Sequence, residues 1–256
     1  MQALKNVSVL DDFNNQILNN VTLEIKPGDF VLIMGEKLPR ETLLSVIGGL
    51  EVINSGEVYI DGIELTKFTP AQVTTLRREK FGYLLDISEL DEQLTVKENV
   101  ELPLLFSVVD AGQREELLTR ALAMLGLTNL EKINVGRLND WQKNKVMLAR
   151  AIVHNPKVLI LSEPVRVLDE TKIKEVADFF VELHKSETTI IIASNMIAFQ
   201  KIVRRRIEIQ NGSVVELGKY SEAKVERKPR TSKTKTTAEK KPRAPRKKKV
   251  EEAINN

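Results

Sequence analysis

The chain has 256 residues, 42% of them apolar and 29% charged, enough to bury a sizeable core in one large domain or a domain with appendages. It has no cysteine and two histidines, His154 and His184, which excludes disulfides, iron–sulfur clusters and cysteine nucleophiles and argues against a multi-histidine metal centre. The formal net charge of +3, taken at face value, argues against a strongly nucleic-acid-binding protein, although that average hides an uneven distribution.

In chain order, Val7–Leu10 and Val21–Ile25 read as short strands. The run Phe30–Gly35 is apolar throughout, as in a strand buried on both faces. Thr42–Leu50 follows as a helix, and Gly56–Gly62 alternates and ends in Asp-Gly, the pattern of an edge strand and turn. Phe81–Leu85 is a further strand. In Arg114–Gly126, Leu117, Leu118, Ala121, Leu122 and Leu125 fall on one helical face, with Gly126 as a stop. Gln142–Val153 reads as a helix and Lys157–Leu161 as a buried strand. Thr171–His184 is a helix and Thr189–Ala193 a strand. Arg206–Gln210 and Ser213–Glu216 form a hairpin around Asn211-Gly212. Strands alternating with helices imply a parallel α/β sheet. His184 at a helix end and His154 before Asn155-Pro156 read as surface or helix-end residues, not ligands.

The composition changes near Gly218. Residues 219–256 hold 14 Lys/Arg against 5 Asp/Glu, a net of +9, while residues 1–218 carry a net of −6. The run Lys240–Lys249 cannot bury enough apolar surface to offset its ordering entropy, so 219–256 is expected to be a disordered basic tail. Met1–Phe13 lacks the pattern of a signal peptide. The longest apolar runs, Val31–Met34 and Ile190–Ala193, are far short of the ~20 residues that span a bilayer. A cytoplasmic chain is expected, meeting a membrane only through a partner or its tail.

A strand ending in Gly35 and followed by a helix is the setting of a phosphate-binding loop, although the motif itself is missing. Further segments carry a family's order and spacing: Leu32–Leu50, Ser55–Leu65, Leu76–Leu85, Leu94–Leu105, Val146–Pro164 and Leu168–Glu170. Over about residues 2–217 the chain resembles the ATP-binding subunit of ABC transporters, nearest the subfamily serving lipoprotein release, macrolide export and antimicrobial-peptide resistance. The resemblance implies an α/β ABC-type ATPase fold within 1–218. Its parts are a RecA-like parallel-sheet core, an antiparallel β subdomain and a helical subdomain near 88–152.

The resemblance also locates the motifs, and nearly all have changed. In the family a glycine-rich loop wraps the ATP phosphates and a lysine neutralises them. Here the segment reads Gly35-Glu36-Lys37-Leu38-Pro39-Arg40-Glu41-Thr42, one residue short, with only the first glycine. Aligned from Gly35, Glu41 takes the lysine position and Thr42 that of the magnesium-binding hydroxyl. Aligned from Gly48-Gly49, Arg40 takes the lysine position and Glu41 the hydroxyl. Both alignments put a carboxylate where phosphate would lie, and Pro39 removes a donor. The competing reading is an ordinary surface loop at a helix start. The family's magnesium-sensing glutamine falls at Asp86, an aspartate able to ligate a cation; the blander reading, a solvated loop residue, is preferred. Its signature Leu-Ser-Gly-Gly-Gln, which contacts the γ-phosphate of the opposite subunit, becomes Leu138-Asn139-Asp140-Trp141-Gln142. There Asp140 suits a helix cap, and Trp141 suits either an interface or plain packing. The magnesium aspartate becomes Ser162, while the catalytic-type glutamate remains as Glu163. The γ-phosphate histidine becomes Asn195. The adenine-stacking aromatic has no counterpart in register; Phe13 lies two positions away and reads equally as packing. The dimer-contacting turn keeps Leu168 and Asp169.

These departures gather at phosphate-facing positions while the apolar pattern between them is intact. The leading expectation is a pseudo-ATPase subunit, with no cofactor or metal, that docks to a permease and pairs with itself or with an active ATPase subunit. One alternative is a working ATPase that uses ATP and magnesium through Thr42, Glu163, Asp86 and Asn195. Another is a protein whose basic tail binds anionic lipid or nucleic acid; the bland reading of that tail is a solubilising appendage.

Overall fold

The computed structural model describes residues 1–85, 90–107, 109–165 and 169–218. The expectations for Asp86, Leu168 and the tail lie outside these residues. Two sheets form the framework. The first is antiparallel, in the order β2-β1-β4-β5, from β1 (Gln2–Leu10), β2 (Gln16–Ile25), β4 (Ser55–Ile60) and the two-residue β5 (Ile63–Glu64). The Gly56–Gly62 segment is therefore not an edge strand: β5 covers its outer side, because the Asp61-Gly62 turn folds the chain back on itself. The second sheet has the order β10-β9-β3-β8-β7-β6. Its strands β3 (Phe30–Gly35), β6 (Phe81–Leu84), β7 (Val158–Ser162), β8 (Thr189–Ala193) and β9 (Arg205–Gln210) are mutually parallel. Only β10 (Ser213–Leu217) runs antiparallel.

Seven α-helices, with three single 3₁₀ turns (Leu65–Lys67, Thr128–Leu130 and Val135–Arg137), complete the described residues: α1 (Lys37–Ile47), α2 (Pro70–Lys80), α3 (Val96–Leu105), α4 (Ala111–Met124), α5 (Asp140–Ile152), α6 (Glu170–His184) and α7 (Ile197–Ile202). The helices α3, α4 and α5 pack on one another, within the region expected to be a helical subdomain. The Lys37–Thr42 segment is not the surface loop that one reading expected. It is the first part of α1, and Arg40 and Thr42 are buried in it.

Strand alternation fixes which side chains meet. On β3, β7 and β8, Leu32, Leu159, Leu161, Ile190 and Ile192 face a core completed by α3–α6. Their neighbours Val31, Ile33, Val158, Ile160, Ile191 and Ala193 face the other core, completed by α1 and the antiparallel sheet. The period of two then carries Ser162, the last residue of β7, to the α1 side. The parallel strands also bring the carboxyl ends of β3, β7 and β8 to one edge, where ligands bind in open α/β sheets.

Candidate functional site

The residues after β3, β7 and β8 meet at that edge. A single residue, Glu36, separates β3 from α1, so the helix starts where a wrapping loop would have to run. The turn of helix that follows points Arg40 inward, leaving it 3% exposed. Its guanidinium Nη2 donates to Glu163 Oε1 at 2.6 Å, and Nη1 reaches Gly35 O at 3.4 Å. The second carboxylate oxygen of Glu163 accepts from Ser194 Oγ at 2.7 Å. Both oxygens of Glu163 are thus engaged by the chain itself. The Glu163 backbone sits at φ +40°, a left-handed conformation uncommon for a residue with a side chain. It is held there by its amide, which donates to Ala193 O at 3.0 Å.

Two further pairs close the cleft. Asn195 Nδ2 donates to Gly35 O at 2.9 Å, and the Gly35 amide donates to Asn195 Oδ1 at 3.0 Å. Ser162 Oγ donates to Glu41 Oε1 at 3.2 Å, with Lys37 Nζ 3.9 Å from the same oxygen. Gly35 itself lies at φ +122°, and a Cβ there would come within 2.8 Å of Ile209 O. Six of the expected site residues therefore converge: Gly35, Arg40, Glu41, Ser162, Glu163 and Asn195. Thr42 lies beside them, buried on α1. Ser194 joins them without having been singled out; its signal is a lone hydroxyl at the end of an apolar strand.

The altered signature segment forms the start of α5. Asn139, not Asp140, is the N-cap: its Oδ1 accepts from the Gln142 amide at 2.9 Å, and Gln142 Oε1 accepts from the Asn139 amide at 3.1 Å. Asp140 is one residue inside, in the first turn, because the capping box sets the cap three residues before Gln142. Trp141 is half-buried against the core, with Lys145 Nζ 5.1 Å and Lys172 Nζ 5.9 Å from its ring centre. Asn144, one turn on, donates to Pro164 O at 3.1 Å and so ties α5 to the segment that carries Glu163. Asp169 caps α6, and hydrogen bonds from Thr171 and Lys172 hold its carboxyl below the usual range.

Phe13 does not pack: it is 84% exposed in the turn joining β1 and β2, where the short connection leaves no surface to cover it. His154 is half-buried and lies just past the end of α5, as expected of a helix-end residue. Its Nε2 lies 2.9 Å from Phe81 O, and because a carbonyl only accepts, Nε2 carries the proton. Burial lowers its pKa. His154 lines a groove of about 550 Å³ together with Arg77, Arg78, Tyr83, Phe106 and Arg150. His184 ends α6 as expected, its ring 5.2 Å from that of Phe30.

Residues 18–166 match the model of the ABC transporter family. The chain belongs to that family. It is 33% identical over 223 residues to the ABC transporter ATP-binding protein MJ0796 of Methanocaldococcus jannaschii, covering 84% of this chain and 95% of that protein. A dimeric MJ0796 cassette bound to ADP and Pi superposes with a TM-score of 0.78 at 29% identity, covering 86% of this chain and all of that one. The macrolide export ATP-binding/permease protein MacB of Neisseria gonorrhoeae is 32% identical over 200 residues. Those residues are 78% of this chain but 31% of MacB, so the match spans about a third of that longer relative. The fold is that of the ABC ATP-binding cassette. Among the described residues no helix is long and apolar enough to cross a membrane.

Proposed function

We propose that this cassette is a pseudo-ATPase subunit of a membrane transport complex, one that supports or regulates its partners without binding or hydrolysing Mg-ATP. One observation carries this reading: the cleft at the ends of β3, β7 and β8 is filled by Arg40 bound to Glu163, with no glycine loop around it. The contact between Glu41 and Ser162 favours the alignment in which Arg40 stands for the family's lysine and Glu41 for its hydroxyl. On that alignment the two magnesium-ligand positions hold a carboxylate and a hydroxyl bonded to each other. The Glu41 carboxylate then stands where the family's hydroxyl meets magnesium and phosphate, and the cation at the lysine position, Arg40, is already paired with Glu163. Glu163 is ion-paired to Arg40 and accepts from Ser194, which lowers its basicity toward a water. These residues do not fit Mg-ATP.

The partner is a cytoplasmic segment of a permease subunit, which would hold the cassette at the inner face of the membrane. The groove beside His154 suits such a segment, since it combines aromatic walls with guanidinium groups and leaves Phe106 69% exposed. Pairing with a second cassette, identical or catalytically intact, belongs to the same reading. The test is to express the full chain in its native host and purify it from detergent-solubilised membranes. A permease subunit that co-purifies, is lost with Phe106→Ala, and comes without phosphate release above background is the expected result. Release that disappears with Glu163→Gln would overturn it.

A further inference from the structure

We infer that Arg40 is a tethered internal ligand, whose guanidinium latches the ends of β3, β7 and β8 into one arrangement that no nucleotide is needed to hold. The inference rests on the nucleotide-independent reading above and adds what takes the nucleotide's place.

The contacts form a closed chain. Asn195 grips Gly35 through two hydrogen bonds; Gly35 O also accepts from Arg40; Arg40 pairs with Glu163; and Glu163 accepts from Ser194, the residue next to Asn195. The ring thus leaves β8, crosses β3, α1 and β7, and returns to β8. Each link is non-local apart from that between Gly35 and Arg40, which stand five residues apart on either side of the start of α1. A guanidinium left 3% exposed needs a strong partner, because its lost hydration is costly. Glu163 in turn keeps a left-handed backbone, which persists only where the surroundings over-determine it. Each half of the pair therefore fixes the other. Ser162 and Glu41 add a parallel tie between β7 and α1. The arrangement needs nothing from solution, so the edge of the sheet stays in one state whatever the nucleotide level.

Four backbone amides report on the latch: Gly35 donates to Asn195, Arg40 to Glu36, Glu163 to Ala193 and Met196 to Ser194 Oγ. Hydrogen exchange of these amides, measured by NMR on the full chain with and without millimolar Mg-ATP, tests the inference. In the wild type the four should exchange slowly and identically with and without nucleotide. Arg40→Met should speed all four at least tenfold, including Met196, which is more than 150 residues away in sequence. Arg40→Lys, which keeps the charge but not the fork, should fall between. If Arg40→Met does not fold, Glu163→Gln serves: it keeps the shape and an acceptor, and should still speed Gly35 and Met196 several-fold. Acceleration confined to α1, or none in either variant, overturns the latch. Slowing of the wild-type amides by Mg-ATP overturns the nucleotide-independent reading instead, so the two failures are distinct.

Discussion

Replacing Arg40 by methionine isolates the energetics of the cleft. Methionine fills the space of the aliphatic stem, so most of the cost comes from stranding Glu163. Glu163 then loses its 2.6 Å ion pair and keeps only Ser194. Breaking one half of a buried pair costs about 3–5 kcal/mol. The Glu163 side chain is 32% exposed, so water recovers part of that, and Arg40→Met should cost about 2–3 kcal/mol. Glu163→Gln should cost about 2–4 kcal/mol, since the amide oxygen still accepts from Arg40 but the buried guanidinium loses its counter-charge. The double variant strands no charge and should be about 1–2 kcal/mol more stable than the sum of the single effects predicts. Urea unfolding of the full chain reads these values as midpoint shifts at constant slope. An Arg40→Met cost below about 1 kcal/mol with no coupling to Glu163 would refute the reasoning, because it would mean the pair is solvated and idle.

Two smaller outcomes follow from local geometry. Asn139→Ala removes the cap of α5 and should lower stability by about 1 kcal/mol in the same urea series, whereas Asp140→Ala should change it by a few tenths. His154 is held neutral by burial, so its folded pKa lies below its unfolded value near 6.5. Its contribution is complete above that value and fades as the pH falls toward the lower, folded pKa. Stability measured from pH 7.5 down to pH 5 should therefore decline more steeply in the wild type than in His154→Gln.

The strands that carry the site were legible because their apolar runs are unbroken; Phe30–Gly35 and Thr189–Ala193 match the observed β3 and β8 end to end. Three helices escaped notice: α2 lacks an apolar face, α7 is too short to show one, and α3 buries Val96, Val100 and Leu104 but carries Pro103 within it, which reads as a break. The α2 helix buries none of its residues and is announced only by the Thr69–Gln72 capping box and Pro70, while α7 has six residues. The start of α1 was misjudged because Pro39 and the charges at 36–41 look like a loop. In the structure Pro39 occupies the first turn, where a missing amide proton costs nothing. Motif spacing located Arg40, Glu163 and Asn195 singly. That Arg40 binds Glu163, 123 residues away, depends on parallel register and on the inward face of α1, and no local pattern encodes either.

The most direct test of the central claim is calorimetric titration of the purified full chain with ATP and magnesium. The account predicts no binding heat up to millimolar nucleotide, for the wild type and for Glu163→Gln alike. Saturable micromolar binding would contradict it, and would mean that Arg40 leaves Glu163 to admit the phosphates.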